Sequence, residues 1–321
     1  MNEFELIQRY FSHIGQSRTD VVVGVGDDAA VCTVPKNQEL VVTTDLLVAG
    51  IHFPDDTPAH AIGYKALAVN LSDLAAMGAE PAWFTMTLSL PEPNESWLQE
   101  FARGLSELAE ASGVLLIGGD TTRGALTIGI QACGFVPTDS AILRSGARVG
   151  DHIFVTGTLG DATLGLKGET GKLSLSVEAQ KYFSQRLRYP TPRTREGLAL
   201  RGIASAMIDI SDGLVADLGH VLESSAVGAS IQQGNLPVSD YYKELVDQIG
   251  WDAALSGGDD YELCIVVPPD HVASLNKLAA EWDCRITEIG IVDQKSGLRI
   301  VDEEGSLIEV AHPGYEHFSE Q

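Results

Sequence analysis

The chain has 321 residues, which is enough for two domains of roughly 150 residues each or for one large unit. Its 45 acidic residues outnumber its 21 lysines and arginines and give a formal net charge of −24, which excludes electrostatic binding to nucleic acid or to an anionic membrane. The opening segment lacks the features of a signal peptide, and no apolar run reaches the about 18 residues that span a bilayer. We therefore expect a cytoplasmic protein.

The first part of the chain alternates helical and strand patterns. An amphipathic helix covers MNEFELIQRYFSH, and β-branched runs predict strands at VVVG, AAVCTV and LVVTT. Pro58 opens a long apolar helix, after which PAWFTMTLSL predicts another strand. Asn94 and Gly113 are typical cap residues for the next helix, and VLLI and ALTIGIQACGF supply two further strands.

A turn-rich stretch, VPTDSAILRSGARVGD, predicts a domain boundary between residues 1–137 and 138–321. The second part begins with the strand HIFVTG and continues with helices near 160–168, 176–188 and 194–205. Further on, AMIDI, LCIVV, ITEIGIV and LRIV predict strands, and DGLVADLGHVLESS predicts a helix. This interleaving predicts an α+β fold with α/β layering in two domains. Short segments of the two parts resemble each other, such as VNLSDL and IDISDG. This similarity arises either by chance or because the two halves are related.

Six acidic, glycine-flanked segments are the most informative feature of the sequence, and most of them follow an apolar run that predicts a strand. We expect them to be turns that deliver aspartates to one end of a sheet. Converging carboxylates repel one another unless divalent cations lie between them, and oxygen ligands select Mg²⁺ or Ca²⁺ over zinc. The pattern predicts a multi-metal site that binds polyphosphate. The segments are GDDAA (26–30), TTDLLVAGIHF (43–53), NLSDLAAMGA (70–79), IGGDTTRG (117–124), IDISDGL (208–214) and SGGDDYEL (256–263).

Other readings of these motifs are weaker or remain open. GVGDDA matches a dinucleotide-binding pattern, but that motif must open a helix, whereas a β-branched run and Pro35 follow it here. A Walker A motif is absent. Asp73 either faces solvent or ligates a metal, and Arg144 is either a surface residue or an anion contact. His52 has a structural or a substrate-binding role, and the segment around Tyr315 is either disordered or a lid.

Taken together, these motifs resemble those of the thiamine-monophosphate kinase family, which belongs to the same ATP-binding superfamily as aminoimidazole ribonucleotide synthetase and selenophosphate synthetase. The resemblance runs from FELIQRYF to GYEHF. It implies an N-terminal mixed sheet with helices that binds ATP and magnesium and dimerises, and a C-terminal α/β sandwich that completes the site. It also implies that ATP phosphorylates thiamine monophosphate, giving thiamine diphosphate, in a homodimer whose N-terminal sheets pair.

The resemblance also assigns site residues. It places magnesium at Asp28, Thr43, Thr44, Asp45, Asp73, Asp120, Asp209 and Asp212, and among these Asp45, Asp120 and Asp212 are the expected catalytic residues. It implies ATP contacts at Gly119, Asp120, Arg144 and Ser211. It implies thiamine contacts at His52, Asp259 and Tyr315. The family usually reads GGEDYE, and Asp259 stands here where its glutamate would be.

The chemistry of the substrate agrees with this assignment. The acceptor is a phosphate monoester with a second pKa of about 6, so it is already anionic at neutral pH and needs no general base. Catalysis then consists of positioning and charge neutralisation. Three alternatives stay open: a magnesium-dependent phosphohydrolase, another ATP-using synthetase of the superfamily, and a noncatalytic nucleotide-binding scaffold.

Overall fold

The computed structural model describes residues 3–310, 312 and 314–316, with side chains from residue 5 onward. Its internal contacts divide into two units. The first unit contains the residues up to 74 and residues 79–141, and the second contains residues 75–78 and the chain from 142 onward. Across the described residues, the helices are all too short or too polar to cross a membrane.

The first unit is built on a four-stranded sheet in the order β3-β6-β4-β5, with a separate small hairpin, β1-β2. Helix α1 precedes the strands in the chain, α2 lies between β3 and β4, and α3 lies between β4 and β5. The elements are α1 (Glu3–Tyr10), β1 (Val21–Val23), β2 (Val31–Cys32), β3 (Gln38–Val48), α2 (Ala59–Ala76), β4 (Glu80–Leu90), α3 (Glu95–Ser112), β5 (Leu115–Arg123) and β6 (Thr127–Pro137).

Two features of this unit position its site. Strand β3 pairs with β6 in an unbroken antiparallel register over all eleven of its residues, so its side chains alternate strictly between the two faces. Helices α2 and α3 approach closely at Gly63 and Gly104, where an added Cβ would lie 2.1 Å from the Phe101 carbonyl and 2.0 Å from the His60 carbonyl. Only glycine permits this contact, which fixes α2 and the Asp73 that it carries.

The second unit contains a seven-stranded sheet in the order β13-β12-β9-β11-β7-β10-β8. Most neighbouring strands in it are antiparallel, and β12 and β9 are parallel. The elements are β7 (His152–Thr156), α4 (Asp161–Glu169), α5 (Val177–Arg188), α6 (Thr194–Ala199), β8 (Ala206–Ile210), α7 (Leu214–Ser225), β9 (Gly228–Gln232), α8 (Asp240–Ile249), α9 (Asp252–Ser256), β10 (Glu262–Val267), α10 (Val272–Ala279), β11 (Ile286–Asp293), β12 (Gly297–Val301) and β13 (Leu307–Ile308).

Both faces of this larger sheet are covered. In β7, Ile153 and Val155 belong to one buried apolar cluster, and Phe154 between them belongs to another. Burial on both faces explains why β8 and β10 are buried along their whole length and have no polar alternation. Asp209 in β8 is therefore unusual, because it places a carboxyl group in a strand that is buried along its whole length.

The helix caps follow the sequence prediction, and two of the acidic segments do not. The Asn94 side chain accepts a hydrogen bond from the Trp97 amide, and Gly113 ends α3 with a φ of 67°. By contrast, Asp45 lies inside β3 and Asp120 inside β5, although both were expected in turns. Asp120 is exposed, and Asp45 is half-buried on the face of β3 from which Thr43 contacts α2, so a strand can continue through an acidic residue on either kind of face.

Two further differences concern helices of the second unit. The predicted helix at 194–205 ends at Ala199, because hydrogen-bonded turns replace it over the next residues. Helix α8 was not predicted, although its signal was present: Ser239 caps it, accepting a hydrogen bond from the Tyr242 amide. The two-domain α+β fold itself is confirmed.

Candidate functional site

In the first unit, three of the predicted site residues line one cavity of about 630 Å³. Asp28 reaches it from the loop between β1 and β2, and Gly119 and Asp120 reach it from β5. Asp27, which the resemblance does not assign, lines it as well. The cavity therefore combines carboxylates with a glycine backbone that a bulky phosphate can approach.

Gly119 owes its place to two constraints. Its φ is +154°, and an added Cβ would lie 1.8 Å from the carbonyl oxygen of Met86 on β4. Any other residue would force β5 away from β4 just before Asp120. Gly119 thus lets the edge strand pack closely against β4 where it lines the cavity.

The segment around Asp45 lies elsewhere on the same sheet. Thr43 and Asp45 project from one face of β3, where the Thr43 hydroxyl donates a hydrogen bond to the Asp73 carboxylate of α2. The Thr44 side chain projects from the opposite face, where its hydroxyl donates to the Ile130 carbonyl at 3.0 Å. The structure therefore brings Thr43 and Asp73 together and separates the Thr44 hydroxyl from them.

The register across the sheet gives the distance between the two acidic segments. Asp45 pairs with Ile130, which pairs with Met86, which pairs with Gly119. Three strand spacings amount to roughly 14 Å. Because Mg²⁺–oxygen bonds are only about 2.1 Å long, Asp45 and Asp120 as carried by this sheet would hold different ions. Within residues 3–310, 312 and 314–316, no three His, Cys, Asp or Glu side chains are grouped to hold one ion.

His52 lies in the turn after β3 and has a defined ring orientation. Its Nδ1 accepts a hydrogen bond from the Val48 amide at 3.0 Å, and its own backbone amide donates to the Val48 carbonyl. Since Nδ1 acts as an acceptor, the proton of the neutral ring lies on Nε2. His52 is thus arranged to donate from Nε2 rather than to collect a proton through Nδ1.

In the second unit, the turn Ser211–Gly213 connects β8 to α7. Its three backbone amides donate to Oδ2 of Asp217, at 3.0, 3.1 and 3.1 Å. Burial raises the pKa of Asp217 to about 7, and the charge of Asp212 adds to this rise, while the three amides oppose it. Asp209 precedes the turn and is buried, whereas Ser211 and Asp212 are half-buried.

The predicted thiamine contacts of the second unit border the same turn. The Asp259 amide donates to the Ser211 carbonyl at 2.9 Å, and the Tyr315 amide donates to the Asp212 carbonyl at 3.0 Å. The Tyr261 hydroxyl donates to the Asp259 carboxylate at 3.2 Å. The structure therefore gathers Ser211, Asp212, Asp259 and Tyr315 in one place, and Tyr315 is 42% exposed.

The Asp259 segment has an unusual backbone that buried carboxyl groups hold in place. Asp259 and Tyr261 have positive φ values of 71° and 50°. Between them, the Asp260 carboxylate is buried and accepts a hydrogen bond from the Gly160 amide at 2.7 Å. Burial raises the pKa of Asp260 well above its usual value. After them, the buried Glu262 accepts hydrogen bonds from Arg186, Arg193 and Thr156.

Arg144 lies at the surface of the second unit. Its side chain is exposed, and its carbonyl accepts a hydrogen bond from the Ser225 hydroxyl at 3.4 Å. This placement is compatible with a surface residue and with an anion contact, so its nucleotide role stays a prediction.

The two parts of the chain match two family descriptions. Residues 26–136 match "AIR synthase related protein, N-terminal domain", and residues 148–303 match "AIR synthase related protein, C-terminal domain". A thiamine-monophosphate kinase of Salmonella typhimurium is 47% identical over 99% of this chain and 98% of its own length. The chain belongs to the thiamine-monophosphate kinase family.

Further members of the thiamine-monophosphate kinase family are similar over nearly the full length. The Bacillus subtilis enzyme is 36% identical and covers 99% of this chain and 100% of its own. The crystal structure of the Stenotrophomonas maltophilia K279a enzyme has a TM-score of 0.84 and 43% identity, over 95% of this chain and 96% of that one. A structure described as AaThiL complexed with AMPPCP and TMP has a TM-score of 0.78 and 31% identity, over 98% and 96%.

Sequence reasoning missed the residues that position the candidate ligands of this thiamine-monophosphate kinase family member. The sequence predicts only that Asp217 lies in a helix, and it assigns no role to Tyr261 or Glu262. Asp217 did give a signal, since an aspartate in the first turns of a helix directly after an S-D-G turn can accept the amides of that turn. Glu262 gave another, because a glutamate at the start of a buried strand requires partners.

Proposed function

We propose that this chain transfers the γ-phosphoryl group of ATP directly, in line, to thiamine monophosphate and so forms thiamine diphosphate. The observation that carries the proposal is the 47% identity to a thiamine-monophosphate kinase over 99% of the chain. AMPPCP is an ATP analogue, and its presence together with TMP in a relative 31% identical to this chain supports ATP as the phosphoryl donor and thiamine monophosphate as the acceptor.

We propose Mg²⁺ as the metal because the predicted ligands offer only oxygen atoms, the donors that this ion prefers. The Thr43–Asp73 contact supports the fit, since a hydroxyl and a carboxylate already lie together there. When bound, the ions would neutralise charge on the phosphates and on an acidic protein. The proposed ligands are Asp28, Thr43, Asp45, Asp73, Asp120, Asp209 and Asp212, together with Thr44 through its backbone.

The chain's own residues would orient the two substrates. Gly119, Asp120, Arg144 and Ser211 would contact the nucleotide, and His52, Asp259 and Tyr315 would contact thiamine monophosphate. His52 would donate from Nε2 to a substrate oxygen, and the Tyr315 ring would pack on the thiazolium cation. Because the acceptor phosphate is already ionised, none of these residues has to remove a proton from it.

We also propose a cytoplasmic homodimer in which the first units pair through β3. This strand is an edge of its sheet, and its Leu40, Val42 and Leu46 side chains are exposed. A long apolar edge strand is normally covered by a partner. The cytoplasm is the compartment that supplies ATP. Thiamine monophosphate and ATP are the proposed small-molecule partners, and nucleic acid and membranes are not.

The decisive experiment combines γ-labelled ATP, Mg²⁺ and thiamine monophosphate, and follows labelled thiamine diphosphate and ADP separately. The proposal expects equal amounts of both products and almost no ADP without the acceptor. ADP formation that ignores thiamine monophosphate would instead support a phosphohydrolase. Nucleotide binding without any turnover would support a scaffold, and label transfer to a different acceptor would support another synthetase of the superfamily.

A further inference from the structure

The turn Ser211–Gly213 has all its amides directed inward. One carboxylate oxygen, Asp217 Oδ2, accepts the three consecutive hydrogen bonds, and the Asp217 side chain is buried. Three successive amides of this kind form a nest that usually binds an external anion. Here the protein fills the nest with its own carboxylate. The turn therefore offers a bound phosphate its side chains and not its amides.

The inward amides leave the carbonyls of the turn to face other segments. The Ile210 carbonyl accepts from the Tyr261 amide at 2.8 Å, the Ser211 carbonyl from the Asp259 amide, and the Asp212 carbonyl from the Tyr315 amide. These donors come from segments that are far apart in the sequence. Each carries or adjoins a proposed thiamine contact, whereas the turn itself carries the proposed nucleotide and metal ligands.

The surrounding backbone leaves little freedom for another arrangement. Gly213 has a φ of +120°, and an added Cβ there would lie 2.7 Å from the Ser256 carbonyl carbon. At Gly258, next to Asp259, an added Cβ would lie 2.7 Å from the Ser211 carbonyl oxygen. The turn and the Asp259 segment thus touch through their backbones, so a shift of one must move the other.

We infer that Asp217 is the positioning residue of the second unit's site, an inference that rests on the proposed function. By holding the amides of Ser211–Gly213, its carboxylate orients the nucleotide-side turn. Through the carbonyls of the same turn, it also fixes Asp259 and Tyr315 on the thiamine side. One buried carboxylate that contacts neither substrate therefore sets the geometry of both half-sites.

Amide hydrogen exchange on the full chain tests this inference without relying on turnover. At pH 8, where the wild-type carboxylate is ionised, Asp217→Asn keeps the shape but removes the charge, and we expect exchange of the Ser211–Gly213 amides to become about tenfold faster, because hydrogen bonds to charged groups are the stronger ones. The Asp259, Tyr261 and Tyr315 amides should also exchange several-fold faster. Faster exchange confined to the turn, or unchanged exchange throughout, would overturn the inference.

Matched controls separate positioning from general destabilisation. Glu223→Gln removes a charge from the exposed face of the same helix and should leave all these amides unchanged. Leu218→Ala removes a buried side chain beside Asp217 and should lower the unfolding midpoint while leaving the three segments protected below it. If Leu218→Ala deprotects them as much as Asp217→Asn does, the carboxylate has no specific role.

Kinetics provide the second readout. Asp217→Asn should raise the KM for ATP and the KM for thiamine monophosphate together, each by about threefold to tenfold, because one turn serves both. A rise in only one KM would contradict the coupling. Wild-type protein that forms no thiamine diphosphate but shows the expected exchange pattern would reject the proposed function and leave the positioning role intact.

Discussion

Asp45 and Asp120 give the clearest test of the proposed metal chemistry at single residues. They lie on β3 and β5, three strands apart, so each would serve a different ion. Replacing either with Asn keeps the size and removes the charge. We expect Asp45→Asn and Asp120→Asn each to lower kcat at least about a hundredfold at saturating Mg²⁺, with an unchanged circular dichroism spectrum. Near-normal turnover in both variants would reject the metal assignment.

We expect His52 to bind the substrate and not to act as a general base. Its Nδ1 already accepts the Val48 amide, so only Nε2 can face a substrate. Loss of one hydrogen bond to the substrate corresponds to about 0.5–1.5 kcal/mol. We therefore expect His52→Ala to raise the KM for thiamine monophosphate about threefold to tenfold and to lower kcat less than that. A drop in kcat of several orders of magnitude at saturating substrate would mean that His52 takes part in the chemistry.

The segment around Tyr315 connects a single side chain to an element of the fold. Its amide is held by the Asp212 carbonyl, and its ring is partly exposed. If the ring packs on the thiazolium cation, Tyr315→Ala should weaken thiamine monophosphate binding by about 0.5–2 kcal/mol and leave ATP binding unchanged. Tyr315→Phe should have a small effect. Calorimetric titration with each ligand measures both, and equal losses for the two ligands would indicate a folding defect.

Asp260, in the segment before β10, should make the stability of the protein depend on pH. Burial raises the pKa of Asp260 in the folded protein above its unfolded value of about 3.9. The neutral carboxyl is compatible with burial, so its contribution is fully present below about pH 4 and is lost as pH rises toward the folded pKa. Asp260→Asn stays neutral and can still accept the Gly160 amide. We expect its unfolding free energy, relative to wild type, to increase steadily from pH 4 to pH 8.

Urea unfolding at several pH values measures that difference, with Asp270→Asn as a control at an exposed position. The control should follow the wild type at every pH. A gap between Asp260→Asn and wild type that is constant with pH would show that Asp260 remains ionised in the fold, held so by Arg186 and its neighbours.

Local signals predicted the elements better than they predicted the site. The Asn94 and Gly113 caps act within one helix, so the sequence alone sufficed. Asp45 and Asp120 were misplaced in turns because a strand sequence by itself does not show that β3 and β5 continue to pair with their neighbours past the acidic residue. The role of Asp217 could not be predicted at all, because it depends on backbone groups of segments far apart in the sequence meeting at one turn.

For the molecule as a whole, the amino-acid composition excluded classes of binding partner but did not identify the function. A net charge of −24 argues against polyanionic partners, yet the proposed substrates are both anions. Only the acidic segments, taken together, resolve this conflict, because carboxylates that collect cations make an anion site possible on an acidic protein. We therefore attribute the recognition of function to the combination of motifs along the whole chain rather than to any one of them.

The assembly of the molecule provides the last prediction. Leu46 is 56% exposed on β3, an edge strand whose exposed apolar side chains fit a second copy of the same strand. We expect wild-type protein to sediment at twice the chain mass of 34.2 kDa. Leu46→Lys should weaken self-association by about tenfold or more, because it places a charge in an apolar contact. Val177→Lys, at an 81% exposed position of α5, should leave the dimer unchanged. A monomeric wild-type protein, or equal dissociation of both variants, would mean that β3 is not the contact.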